Sequence, residues 1–411
     1  MPVIALFSGT FCREDALLRR LSAGTGYRKM SDPEIVAEAS RISGTPSAKI
    51  GKAFGGKTSV FNRFTHERER SVAYLKNALA EVLAEDNLVL EGFSVQLIPQ
   101  NLTHVLRVCL IADMAFRFSV AAEEHGMGQE EAARLIRRQD EDRAAWVQMV
   151  RSHKDPWDPS LYDILVPAGK KSTEEIFSII QSNLGRDVLR TTKQSRRAVE
   201  DFRLASQVEV ALLKEGHNVG VRAKEGEVTL TINKHVLMLS RLEEELKGIA
   251  GRLPGVKAVA TRVGPAFHQA DIYRKFDFEL PSKILLVDDE REFVQTLSER
   301  LLMRDMGSAV AYDGESALEL IREDEPEVMI LDLRMPGIDG IEVLRRVKAT
   351  QPEIEVIILT GHGSEADRET CMKLGAFAYL QKPVDIEILS DTIRQANERT
   401  RSRKGFSQAK S

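Results

Sequence analysis

Four apolar runs in the last third of the chain each end in a polar residue with chemistry to offer. Lys283–Val287 leads into Asp288-Asp289, Met329–Leu331 into Asp332, Val356–Leu359 into Thr360, and Ala378–Leu380 into Gln381-Lys382-Pro383. A further short strand is expected at Ser308–Ala311, and helical patterns separate the runs. Short, nearly continuous apolar runs that alternate with helices read as parallel strands buried on both faces. In an open parallel sheet, reactive groups gather beyond the carboxyl ends of the strands. All four polar ends are therefore expected to meet at one edge of a doubly wound, five-stranded sheet.

The residue types suit one chemistry. Two adjacent acids and a third across a cleft supply oxygen ligands of the kind Mg²⁺ prefers. Three carboxylates so close repel one another, and a cation lets all of them stay ionised. Lys382 adds a fixed positive charge for phosphoryl oxygens, and the Thr360 hydroxyl offers one of them a hydrogen bond. The phrases "ILLVDDE", "MILDLRMPGIDG", "VIILTGHG" and "AYLQKPVD" resemble the response-regulator receiver family, whose fold is flavodoxin-like. The resemblance implies that Asp332 is the phosphorylated aspartate. It makes Asp288, Asp289, Asp332 and the backbone carbonyl of Arg334 the Mg²⁺ ligands. It also makes Thr360 the switch hydroxyl, Tyr379 the aromatic that changes rotamer with it, and Lys382 the phosphate-sensing lysine. Gly361, small and beside the switch position, leaves room for the phosphoryl group. The implied partner is a sensor histidine kinase or a phosphotransfer protein.

Residues 1–190 alternate apolar runs (Val3–Phe7, Leu88–Leu90, Val105–Ile111, Ile164–Val166) with charged helical patterns such as Gln129–Val150. That alternation predicts an α/β domain. Gly51–Thr58, "GKAFGGKT", satisfies the spacing of a phosphate-binding P-loop. A working P-loop follows a buried strand. Here Arg41–Ile50 is polar and broken by Gly44 and Pro46, so the segment reads as a loop between helices. The strand-then-helix context instead occurs at Val3–Phe7, Ser8–Asp15 and Ala16–Leu21. That loop lacks the lysine and its following hydroxyl, and Glu14 and Asp15 repel phosphate. Gly9 and Thr10 are its candidate anion-binding residues.

The phrases "LVLEGFS", "LRVCLIAD", "EEAARLIRRQDEDRAAW" and "WDPSLYDILV" resemble the cytidylate kinase-like family of P-loop nucleoside monophosphate kinases. The resemblance implies that Arg137, Arg138 and Arg143 belong to a lid that grips phosphates. Three departures argue against turnover. The loop lysine is missing, Phe93 stands where an Arg usually follows the Gly, and Pro167-Ala168 replaces a polar pair. Without the lysine and the Mg²⁺-binding hydroxyl, phosphoryl transfer loses most of its electrostatic stabilisation. A kinase-derived binding domain is expected.

Residues 192–265 read as αββαβ: helix Ala198–Glu215, a hairpin of Val219–Ala223 and Val228–Ile232 around Lys224-Glu225-Gly226, helix Val236–Arg252, and strand Val256–Val263. The phrases "GEVTLTINKHV" and "LPGVKAVATRV" resemble the BON domain, which implies association with membranes or partner proteins. A packing or dimerising role is the simpler reading. Residues 266–281 are expected to be a linker, 282–400 the receiver, and 401–411 a disordered basic tail.

A formal net charge of −4 gives no global field toward nucleic acid. No apolar run approaches the ~20 residues of a membrane span. Cys12, Cys109 and Cys371 lie far apart, with neither disulfide nor zinc spacing. The apolar start lacks a basic n-region, so a cytoplasmic setting is expected. The whole reads as a multi-domain response regulator, with homodimerisation left open. A receiver-gated nucleotide or small-molecule kinase and a non-enzymatic signalling scaffold are the alternatives.

Overall fold

A computed structural model describes residues 2–57, 59–234, 236, 238–265, 267, 283–361 and 363–408. Apart from Phe267, the expected linker 266–281 lies outside the described residues, as do 409–411. The chain forms two compact units. One comprises Met1–Thr58 and Arg68–Arg274; the other comprises Ser59–Glu67 and Lys275–Ser411.

The chain begins with β1 (Val3–Ser8), α1 (Glu14–Thr25), β2 (Arg28–Met30), α2 (Asp32–Ser43) and α3 (Ser47–Gly51). After α4 (Asn62–Thr65) come α5 (Glu67–Val82), β3 (Leu88–Glu91), β4 (Val105–Ile111), α6 (Met114–His125), α7 (Gln129–Arg151), β5 (Ile164–Pro167) and α8 (Thr173–Leu184). The five strands form one parallel sheet in the order β2-β3-β1-β4-β5. Alternation along β1 sends Val3, Ala5 and Phe7 into one apolar layer and Ile4 and Leu6 into the other. Burial on both faces explains why β1 reads as an unbroken apolar run. The "GKAFGGKT" segment follows no strand, and its Gly56 N–H donates to Asp142 of α7 at 2.5 Å.

Next come α9 (Lys193–Lys214), β6 (Gly220–Lys224), β7 (Glu227–Ile232), α10 (Leu239–Ala250) and β8 (Ala258–Val263). The order is the expected αββαβ. β6 pairs antiparallel with β7, which pairs parallel with β8. Glu225 and Gly226 both have positive φ, the geometry that two-residue hairpin turns favour. This module belongs to the first unit, and α9 joins it there. Val199 packs with the core of the parallel sheet, while Leu204, Val208 and Leu212 pack with Val228, Leu230 and Leu246.

The second unit contains α4 and then β9 (Ile284–Val287), α11 (Arg291–Leu302), β10 (Ser308–Ala311), α12 (Gly314–Glu323) and β11 (Val328–Leu331). It continues with α13 (Gly340–Thr350), β12 (Glu355–Thr360), α14 (Glu365–Lys373), β13 (Ala378–Gln381) and α15 (Ile386–Gln408). Its strands form a second parallel sheet, β10-β9-β11-β12-β13, the flavodoxin-like order. Leu285, Met329 and Val356 face one layer, and Ile284, Ile330 and Ile357 face the other. The tail expected to be disordered is helical as far as Gln408. The buried Glu355 carboxylate explains part of this, because it receives Arg403 Nη1 at 2.9 Å and lies 3.4 Å from Arg399 Nε. A buried acid needs such partners. Among the described residues, no helix is long and apolar enough to cross a membrane.

Candidate functional site

The register of β9 and β11 builds the acid cluster. Leu331 sits opposite Val287, so Asp288 and Asp332 leave adjacent strand ends side by side. The Asp332 N–H donates to Val287 O at 2.9 Å, and the Asp288 N–H to Ala311 O at 3.2 Å. Both acids are buried, whereas Asp289 is exposed. One carboxylate oxygen from each of the three lies within 4.8 Å of the others. Gly340 lets the start of α13 close on this edge, since a Cβ there meets the Asp332 carbonyl at 2.2 Å.

Lys382 enters from the end of β13. Its Nζ lies 2.6 Å from Asp288 Oδ2, 3.6 Å from Asp332 Oδ2 and 3.3 Å from Glu290 Oε1. It also sits 4.4 Å from the centre of the Phe293 ring. Burial favours the neutral amine, but the Asp288 hydrogen bond and the charges of Asp288, Asp332 and Glu290 outweigh it and raise the Lys382 pKa. Burial raises the Asp288 pKa even though Lys382 pulls it down. One lysine thus leaves the acids under-neutralised. Hard oxygen donors with excess negative charge fit a divalent cation such as Mg²⁺.

Thr360 is fully buried at the end of β12. Its carbonyl accepts the Lys382 N–H at 2.9 Å, which ties the switch position to the lysine. A Cβ at Gly361 comes no closer than 4.0 Å to Lys382, so that position is open. Tyr379 lies on β13, and among the described residues its buried hydroxyl has no hydrogen-bond partner. The hydroxyl fills the notch left by Gly363, where a Cβ falls 1.6 Å from Tyr379 Oη and 3.0 Å from Thr360 Cγ2. Arg334 occupies the loop after β11, and its guanidinium is exposed, 4.0 Å from Asp367. Glu290, Phe293 and Gly363 were not singled out in the sequence. Only Glu290, directly after the acid pair, carried a signal.

In the first unit the loop after β1 turns inward. The Gly9 N–H donates to Leu110 O at 2.9 Å. Thr10 Oγ1 donates to Gln139 at 2.6 Å and accepts from Arg143 Nη1 at 2.9 Å. Arg143 Nε donates to Ser8 O at 2.8 Å, and Arg117 Nε to Thr10 O at 2.8 Å. Arg117 also forms a bidentate pair with Asp140 at 2.7 and 2.9 Å. The Cys12 N–H donates to the Glu14 carboxylate at 3.0 Å. This loop turns its carbonyls onto two buried guanidiniums, the opposite polarity to a phosphate cradle. Of the three candidate lid arginines, Arg143 is buried in this network, while Arg137 and Arg138 are exposed elsewhere on α7. Arg117 and Gln139 were missed, because a pairing made only in the folded state leaves no local pattern. Beside the loop lies a cavity of about 330 Å³ lined by Cys12, Arg13, Phe116, Gly169, Lys170 and Ser172.

A doubly wound sheet carrying three acids, a threonine and a lysine at its carboxyl edge defines a receiver-class domain. Residues 284–394 match the family model described as response regulator receiver domain, and residues 3–170 match the cytidylate kinase-like family. The chain therefore carries a C-terminal receiver domain homologous to those of response regulators. It is 36% identical over 121 residues to response regulator MprA of Mycolicibacterium vanbaalenii, covering 29% of this chain and 52% of that protein. It is 35% identical over 119 residues to response regulator MprA of Mycobacterium ulcerans, covering 29% and 51%. The chain thus spans about half the length of these curated relatives. Among solved structures, a receiver domain protein from Clostridium thermocellum shares 36% identity over 29% of this chain and 96% of its own, with a TM-score of 0.28. NtrX from Brucella abortus in complex with ATP shares 28% identity over 30% and 28%, with a TM-score of 0.29.

Proposed function

We propose that this protein is a two-component response regulator that accepts a phosphoryl group on Asp332. The convergence of Asp288, Asp289, Asp332, Thr360 and Lys382 at one sheet edge carries this reading. A histidine kinase or phosphotransfer protein serves as donor. An Asp332 carboxylate oxygen attacks phosphorus, the N–P bond to the donor imidazole breaks, and its electron pair returns to the ring nitrogen. Asp288, Asp289, Asp332 and the Arg334 carbonyl would hold Mg²⁺, which supplies charge neutralisation for the transferring group. Lys382 moves from Asp288 toward the new phosphoryl oxygens, and the Thr360 hydroxyl donates to one of them. Tyr379 then follows Thr360.

The first unit serves as a kinase-derived interaction domain, because its loop binds its own arginines rather than presenting N–H groups. The αββαβ module, BON-like in sequence, packs or dimerises. The three cysteines are free and buried, which suits a reducing cytoplasm. One observation favours a second reading, a receiver-gated nucleotide kinase: the 330 Å³ cavity beside the loop.

Incubation with a small phosphoramidate donor and Mg²⁺ tests the main reading. One base-labile phosphoryl group per chain is expected by intact mass, and none in Asp332→Asn. Full labelling of Asp332→Asn removes the assignment.

A further inference from the structure

We propose that residues 59–67 act as an intramolecular docking element that closes the base of the receiver sheet, at the end away from the acid cluster. The second unit is built from two chain segments, and this is the shorter one. Its flanking residues, Thr58 and Arg68, both belong to the first unit, so the chain enters the second unit and leaves it again within a few residues.

The segment is shaped to present aromatic side chains. Ser59 Oγ accepts the Phe61 N–H at 3.0 Å, and the Phe61 carbonyl accepts the N–H groups of Phe64 and Thr65 at 2.8 and 3.0 Å. His66, with positive φ, ends the single turn. Phe61 is wholly buried in the layer that contains Leu285, Ala309, Ile321 and Met329. Phe64 lies on Gly307, the residue before β10, where an added Cβ falls 2.2 Å from the ring.

Polar contacts fix the register. Lys283, the residue before β9, lies 2.7 Å from Glu67 and 3.1 Å from Asp324, and its side chain is 12% exposed. Ser59 Oγ hydrogen-bonds to the same Asp324 carboxylate. Lys283 also stands 6.0 Å from the centre of the Phe61 ring. Burial works against its charge, but Glu67 and Asp324 prevail and raise its pKa.

Every receiver residue in this seat lies at or near the amino ends of β9, β10 and β11 or the end of α12. Asp288, Asp332, Thr360 and Lys382 lie at the carboxyl ends. The seat therefore leaves the acid cluster free, and its existence does not depend on the phosphoacceptor role. Glu67, which holds Lys283, is also the first residue of α5.

Hydrogen–deuterium exchange on the full chain tests the proposal. Phe61→Ala should speed exchange in 284–287 and 308–311 by roughly tenfold or more, with 356–360 little changed. Gly307→Ala, which displaces Phe64 from the receiver side, should speed exchange in 59–67 and 308–311. Wild-type exchange in both variants overturns the proposal. A Ser59→Cys, Asp324→Cys chain treated with a short bis-maleimide adds a readout that needs no destabilised variant. A mapped crosslink between these positions supports docking. Its absence from a correctly folded chain overturns it, whatever Phe61→Ala does to stability.

Discussion

The two parallel sheets place their working loops in the same location and fill them in opposite ways. Beyond β9 and β11, three carboxylates face one lysine, and burial still raises the Asp288 pKa. Beyond β1, two guanidiniums face one aspartate and a row of backbone carbonyls, and each is matched within hydrogen-bond distance. The receiver edge is left with unbalanced charge, while the kinase-like edge closes on itself. An unbalanced edge can bind and react; a balanced one mostly holds shape.

Four measurements bear on that contrast, beginning with the largest expected effect. Asp332→Asn should take phosphoryl incorporation from one group per chain to none, read by intact mass with and without Mg²⁺. Arg117→Ala leaves Asp140 without its bidentate partner and should cost about 3 kcal/mol, read from the urea midpoint. A loss near zero would mean that the closed loop is not structural, and the contrast would fail on that side. Asp289→Ala should weaken Mg²⁺ binding by roughly tenfold or more in calorimetry while leaving the unfolding midpoint nearly unchanged. Lys57→Ala, in the spacing match that follows no strand, should leave any nucleotide affinity of the full chain as it was. Loss of tight ATP binding in that variant would instead restore the kinase reading.

A fifth measurement uses pH. The folded-state pKa of Asp288 is raised above its ordinary 3.8, so folding favours the protonated acid. Its ionisation costs nothing below the unfolded pKa, and the cost is complete above the folded one. Metal-free stability should therefore fall more steeply with rising pH in wild type than in Asp288→Asn across that window. Saturating Mg²⁺ should flatten the difference. Equal slopes without metal would mean that Asp288 carries no burden.

The receiver was legible because β9, β11 and β12 are buried on both faces and therefore read as apolar runs. The expected Lys283–Val287 and Val356–Leu359 lie close to the observed Ile284–Val287 and Glu355–Thr360. The acids, Thr360 and Lys382 were legible because each directly follows, or nearly follows, such a run. The Arg117–Asp140 pair was not, since it joins two helices whose facing sides only the folded chain defines. Phe61 was not legible either. It looks like a loop aromatic, and its neighbours lie more than two hundred positions away. The basic tail was misread for a related reason: composition shows five cations after 398 but not the buried Glu355 that two of them reach.

The helix α9 has a consequence for how the first unit melts. Its 22 residues run about 33 Å, and it belongs to two apolar cores at once. Ser206 Oγ lies 3.3 Å from Asn77, and Lys76 lies 2.9 Å from Glu209, so polar contacts join α9 to α5 along the same stretch. Neither core can lose α9 without exposing side chains of the other. Calorimetry should therefore find the parallel sheet and the αββαβ module in a single transition, with a calorimetric enthalpy equal to the van't Hoff value for both together.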